Sequence, residues 1–274
     1  MRALLRLCGA DGWGIVCAMT ILAHIKKLAC ALALLWVATA APAKDVTVFA
    51  AASLAGALDE VAELSAGKVT ISYAGSGLIA RQVDQGAPAD VIVLAHPVWM
   101  DWLDQRGHPT IKDTRRDIAA NTLVLVGPQN ASPITPAGSK GFAKTAAIAQ
   151  RLNSGRIATG QTDAVPAGIY AKEWLQSIAL WDILRPQLVE TDNVRVALAL
   201  VARGDVPFAI TYRSDALSDP RVTILHDIDP KLHSPVTYPA AALTPQGGAF
   251  LELLISDQAA AIFARHGFSP LELN

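Results

Sequence analysis

From residue 45 onward the apolar positions follow two alternating rhythms. Short runs dense in Val, Ile, Phe and Tyr at 46–51, 68–73, 90–95, 122–127, 156–159, 207–212, 222–226 and 237–243 predict strands. Between many of them the spacing changes to i, i+3, i+4. That predicts helices over 54–64, 78–85, 98–105, 166–177, 194–202 and 248–265. Strands separated by helices imply βαβ units and a mostly parallel α/β architecture. The Pro-, Gly- and Ser-rich stretch GPQNASPITPAGSKG, 127–141, reads as a loop. A chain of 274 residues fits two small α/β lobes joined by crossing strands better than one large sheet.

The pattern before residue 44 is of another kind. A short basic start, Met19 to Lys27, runs into the apolar stretch Leu28 to Ala40 and then Ala41-Pro42-Ala43. These are the three regions of a secretory signal peptide, with cleavage expected after Ala43. Residues 1–18 are superfluous to it, which points to Met19 as the real initiator. All three cysteines, Cys8, Cys17 and Cys30, fall in this part. The expected mature chain thus has no disulfide, thiolate metal site or cysteine nucleophile. Cleavage removes Arg2, Arg6, Lys26, Lys27 and Asp11, taking the net charge from −1 to −4. That balance offers no basic face for nucleic acid.

In an open parallel sheet, ligands sit beyond the carboxyl ends of the strands. After the first strand comes Ala52-Ser53-Leu54, after the second Ala74-Gly75-Ser76-Gly77. The strand at 156–159 leads to Val165-Pro166-Ala167-Gly168, with Pro at a first helical turn. Thr191-Asp192-Asn193-Val194 is a capping signal, and the strand at 207–212 ends in Thr211-Tyr212. Helix starts present unpaired N–H groups and a partial positive charge. Several aimed at one point make an anion site without Lys or Arg. Ser53 and Ser76 add hydroxyls, and the flanking alanines and glycines clear space. Read singly, each serine is an ordinary N-cap and Tyr212 is packing; periodicity does not show that they converge.

The segments TVFAAASL, YAGSGLIARQV, GAPADVIVLA, WMDWL, VPAGIYAKEWL, NVRVALALVARG and AITYRSDAL occur in this order. Together they closely resemble the periplasmic molybdate-binding proteins of molybdate ABC importers, over nearly all of residues 45–268. The resemblance implies a two-lobed periplasmic binding protein fold of type II: two mixed, mostly parallel sheets flanked by helices and joined by two crossover strands. It implies a signal peptide over 1–43, a first lobe over 44–123, a second over 124–238, and a return to the first over 239–274. It also implies that molybdate, or tungstate, is held between the lobes by neutral donors. These are hydroxyl and N–H of Ser53 and Ser76, backbone N–H of Ala167 and Val194, and the phenol of Tyr212. Molybdenum enters only as molybdate, with no other cofactor. The implied partners are the permease and ATPase of an inner-membrane importer, the protein being a periplasmic monomer and not an enzyme.

The chain departs from that pattern at Gly75 and Gly77, where some relatives carry hydroxyls, and at Arg213 and His96. Arg213 is expected at the rim, and His96 on the surface or in packing. Another tetrahedral oxyanion such as sulfate is the alternative ligand. A serine hydrolase is disfavoured because Ala74 breaks G-x-S-x-G around Ser76. A metal-cation binding protein is disfavoured because the candidate loops are small and neutral.

Overall fold

The computed structural model describes residues 45–134 and 142–271. The leader, Met19, the three cysteines and the expected cleavage point lie outside the described residues, as does 135–141 of the loop.

The described strands form two five-stranded sheets. In the first, of order β2-β1-β3-β10-β4, β1 (Val46–Ala51), β2 (Val69–Ala74) and β3 (Val91–Val93) are parallel. β10 (Val236–Ala242) runs antiparallel between β3 and β4 (Arg116–Asn121). In the second, of order β7-β6-β8-β5-β9, β7 (Leu188–Thr191), β6 (Ile157–Gly160) and β8 (Phe208–Tyr212) are parallel. β5 (Leu123–Pro128) opposes both β8 and β9 (Val222–Asp227). Each sheet is therefore mixed, with one strand opposed to the rest. The chain passes between them twice, at Asn121–Leu123 and between Asp227 and Val236, so β10 begins a little ahead of the 239 boundary set from sequence.

The interior strands are apolar on both faces, as helix-covered strands must be. All of β3 and β8 is buried. The edge strands β4 and β7, RDIAAN and LVET, were not anticipated because an edge tolerates charge and half-exposed positions that erase the apolar run. Strand register then places the candidate site. Ala51 pairs with Ala74, so Ser53 and Ser76 stand equally far beyond two adjacent strand ends. Gly160 pairs with Thr191 in the other sheet and brings the segments leading to Pro166 and Val194 together.

Two helix expectations need correction. The segment from 54 does not run as one helix. Ala52–Leu54 is a 3₁₀ turn, Ala55 is extended, and Gly56 takes φ +86°, a left-handed conformation suited to glycine. The α-helix is only Ala57–Ala62. Likewise 248–265 divides into Gly248–Leu254 and Asp257–Arg265, because Ser256 turns extended and caps the second helix by accepting from Ala259 N at 3.2 Å. Four helices went unread: Pro109–Thr114, Phe142–Leu152, Trp181–Leu184 and Arg213–Ser218.

A row of edge-to-face aromatics crosses the waist: Tyr170 to Tyr212 (6.4 Å), Tyr212 to Tyr238 (6.1 Å), Tyr238 to Phe268 (5.3 Å). The three tyrosines are essentially fully buried. Such pairs add about 0.5–1.5 kcal/mol each beyond the area they bury.

Candidate functional site

Ser53, Ser76, Ala167, Val194 and Tyr212, read separately along the sequence, line one cavity between the two sheets. Ala51, Ala52, Ala74, Gly75, Ala95, Val165, Pro166 and Asn193 complete it. Among the described residues the lining contains no Lys, Arg or carboxylate. The small residues at the ends of β1 and β2 leave the backbone accessible, which accounts for the alanine run at 50–52.

Neither serine caps a helix. The caps are Ala51 and Gly75, with no side-chain cap bond. Each serine hydroxyl instead accepts a bond from elsewhere. Ser76 Oγ accepts from Ala95 N at 3.0 Å, and Ser53 Oγ accepts from the Tyr238 hydroxyl at 3.1 Å. With an accepting lone pair occupied by a protein donor, each hydroxyl proton is left for the cavity. Tyr238 is itself steered: Asn121 Nδ2 donates to its oxygen at 3.2 Å and to Ser214 Oγ at 2.8 Å. Asn121 at the first crossing and Tyr238 in β10 thus together set the orientation of Ser53. Sequence reading missed Asn121 and Tyr238, since a supporting residue carries no motif of its own.

The remaining donors follow from helix geometry. Ser76 and Val194 open their helices, and Ala167 follows Pro166 in the first turn of Pro166–Ser177. Their N–H groups have no intrahelical acceptor. Asn193 caps its helix as the sequence indicated, accepting from Val196 N at 3.1 Å. Among the described residues, the Tyr212 hydroxyl is buried without a hydrogen-bond partner. Burial, with Tyr238 and Tyr170 nearby, holds its pKa far above that of a free phenol, so it remains a neutral O–H donor. The arrangement offers about seven inward donors, with no charged group among them, to a species that only accepts.

Arg213 does not line the cavity. It pairs with Asp227 and its Nε donates to Thr122 Oγ1 at 3.3 Å. His96 is in packing, as expected: Nδ1 accepts from Val98 N at 3.1 Å, and the ring stacks on Tyr170 of the other lobe at 4.6 Å. Gly75 and Gly77 are where the lobes touch. A Cβ on Gly75 would lie 2.4 Å from the Asp192 carbonyl oxygen, and one on Gly77 would lie 2.5 Å from that of Ala164.

Beside the cavity, Arg195 Nε lies 2.6 Å from Oδ1 of the wholly buried Asp215. Burial pushes the Asp215 carboxyl from 3.8 up to about 7, against the pull of Arg195. The folded chain therefore holds this proton more tightly than the unfolded chain does. The stabilisation is complete below the unfolded value and is lost as pH rises through the folded one. Asp215→Asn, neutral throughout, lacks that slope. Thermal unfolding at a series of pH values should show wild type losing ground to the variant between about pH 4 and 7.

A family model for bacterial extracellular solute-binding proteins matches residues 46–269. The chain is 38% identical over 235 residues to the molybdate-binding protein ModA of Escherichia coli (strain K12), covering 82% of this chain and 88% of that one. It is 37% identical over 239 residues to ModA of Haemophilus influenzae, covering 84% and 91%. Among solved structures it is similar to the periplasmic molybdate-binding protein of Azotobacter vinelandii. The TM-score is 0.68 at 19% identity, over 83% of this chain and 100% of that chain, a likeness of fold.

Proposed function

Since the chain belongs to the bacterial extracellular solute-binding proteins and, within them, to the ModA molybdate-binding proteins, we propose that it captures molybdate between its lobes for an ABC importer. The observation that carries this reading is a cavity bounded by inward donors and no charged side chain. Ser53 and Ser76 belong to the first lobe; Ala167, Val194 and Tyr212 belong to the second. An anion completes its shell of donors only when both lobes meet around it, so it stabilises the closed form.

The magnitudes are compatible. Sub-micromolar binding needs about −8 kcal/mol. Burying a dianion forfeits much hydration, so nearly every oxygen lone pair needs a donor. About seven charge-assisted bonds, each worth roughly 1.5–3 kcal/mol, leave that surplus. Selectivity follows from the same inventory. Phosphate near neutrality carries a proton that seeks an acceptor, and no carboxylate lines the cavity to take it. Tungstate, nearly the size of molybdate, is expected to bind as well.

The export leader is removed after Ala43 in this reading. The mature protein then works in the periplasm as a monomer and hands its anion to the permease and ATPase subunits of an inner-membrane importer. Calorimetric titration of the purified protein with molybdate, tungstate, sulfate and phosphate tests the binding step. The reading predicts tight one-to-one binding of the first two, with sulfate at least about a hundredfold weaker. Equal binding of sulfate would make the ligand another tetrahedral oxyanion, and heat from none of the four would overturn the reading.

A further inference from the structure

We propose that Arg195 is a positioning residue that latches the closed cleft, tying the Ser53 turn of the first lobe to the Val194 helix of the second; this rests on the oxyanion-binding reading of the site. Arg195 directly follows Val194 on the first turn of helix Val194–Ala202. Two corners of its guanidinium are held within the second lobe. Nε lies against buried Asp215 at 2.6 Å, and Nη1 donates to Ser218 Oγ at 2.8 Å. The third corner crosses the cleft. Nη2 lies 3.2 Å from the carbonyl oxygen of Ala55 and 3.5 Å from that of Ser53.

The geometry uses what only a planar fork supplies: one edge set against Asp215, one donor spent on Ser218 and a third aimed across the cleft in a fixed direction. A lysine ammonium has one centre and cannot span all three. The carbonyls it reaches belong to the turn Ala52–Leu54 and the residue after it. Arg195 thus holds from behind the same turn whose serine lines the cavity. Arg195 does not line the cavity, so it acts through directed hydrogen bonds rather than as a counter-ion to the ligand. These cross-cleft bonds exist only when the lobes are closed. Their loss therefore speeds release of a bound anion and leaves capture by the open form nearly unchanged.

The test is stopped-flow fluorescence of the whole protein with molybdate, comparing wild type with Arg195→Gln and Arg195→Lys. The latch predicts dissociation faster by about tenfold in both variants, with association within about twofold of wild type. A merely structural role would lower Tm without separating the two rates. Unchanged dissociation in a variant with wild-type near-ultraviolet circular dichroism would overturn the latch. If Arg195→Gln fails to fold, Arg195→Lys, which keeps the charge facing Asp215, decides the matter alone. If wild type does not bind molybdate, the oxyanion reading fails separately. Distances between spin labels at Arg81→Cys and Gln176→Cys, one in each lobe, then decide the latch in the ligand-free protein. A closed population reduced by Arg195→Gln supports it, and identical distance distributions overturn it.

Discussion

Replacing Gly75 by alanine is expected to cost about a thousandfold in anion affinity while leaving the fold nearly as stable as before. The new Cβ would lie 2.4 Å from the Asp192 carbonyl oxygen and 3.3 Å from Val165 Cγ2, both on the opposite lobe. A backbone carbonyl cannot rotate away as a flexible side chain can, so the lobes themselves must separate. Separation withdraws Ala167, Val194 and Tyr212 from a ligand held by Ser53 and Ser76. Losing three charge-assisted bonds accounts for about 4 kcal/mol or more. Folding is spared because Gly75 has φ −68° and ψ 139°, which any residue adopts. Gly77 repeats only the cross-cleft part, its added Cβ meeting the Ala164 carbonyl at 2.5 Å; it would also meet Trp99 Cζ2 of its own lobe at 2.7 Å, so Gly77→Ala is expected to cost stability as well as affinity. Calorimetry beside thermal unfolding checks both halves of the expectation. Tight binding by Gly75→Ala would mean that closure does not require this contact.

Ser76→Ala is expected to weaken the anion complex and the ligand-free fold together. The hydroxyl accepts from Ala95 N at 3.0 Å, and in the proposed complex it keeps its own proton for the anion. Its removal subtracts one donor from the ligand, about tenfold or more in affinity. It also leaves the N–H of Ala95, a 2% exposed residue, without an acceptor, at about 1–3 kcal/mol of stability. Ser53→Ala shares the pattern, since Tyr238 would lose the oxygen to which it donates. Titration and thermal unfolding of the same preparations measure the two effects. An affinity loss without any fall in Tm would show that the Ala95 bond is not what fixes Ser76.

Much of this architecture is legible in the chain because interior elements carry strong, redundant signals. The strand at Val46–Ala51 and the helices Pro166–Ser177 and Val194–Ala202 have the bounds that their apolar spacing predicts. Edge strands β4 and β7 escaped because solvent on one side permits Arg116, Asp117 and Glu190. The division at Ser256 carries a capping signal that an apolar count across 248–265 overrides. Placement of the five cavity residues was legible through small residues at strand ends and through family motifs. The layer behind them was not. Asn121, Tyr238 and Asp215 act over separations of 93 residues or more, or through burial, and a linear pattern records neither. The cap reading of Ser53 and Ser76 failed for the same reason: their partners, Tyr238 and Ala95, are distant in sequence.

The central claim is that one tetrahedral oxyanion sits where the two lobes meet, held by neutral donors from both. Anomalous diffraction at the molybdenum edge, from crystals grown with molybdate, tests it most directly. The account predicts a single molybdenum peak in the cavity. Its oxygens should lie within hydrogen-bonding distance of the Ser53 and Ser76 hydroxyls, the Ala167 and Val194 N–H groups and the Tyr212 phenol. A peak elsewhere, or an anion contacting one lobe only, would contradict it.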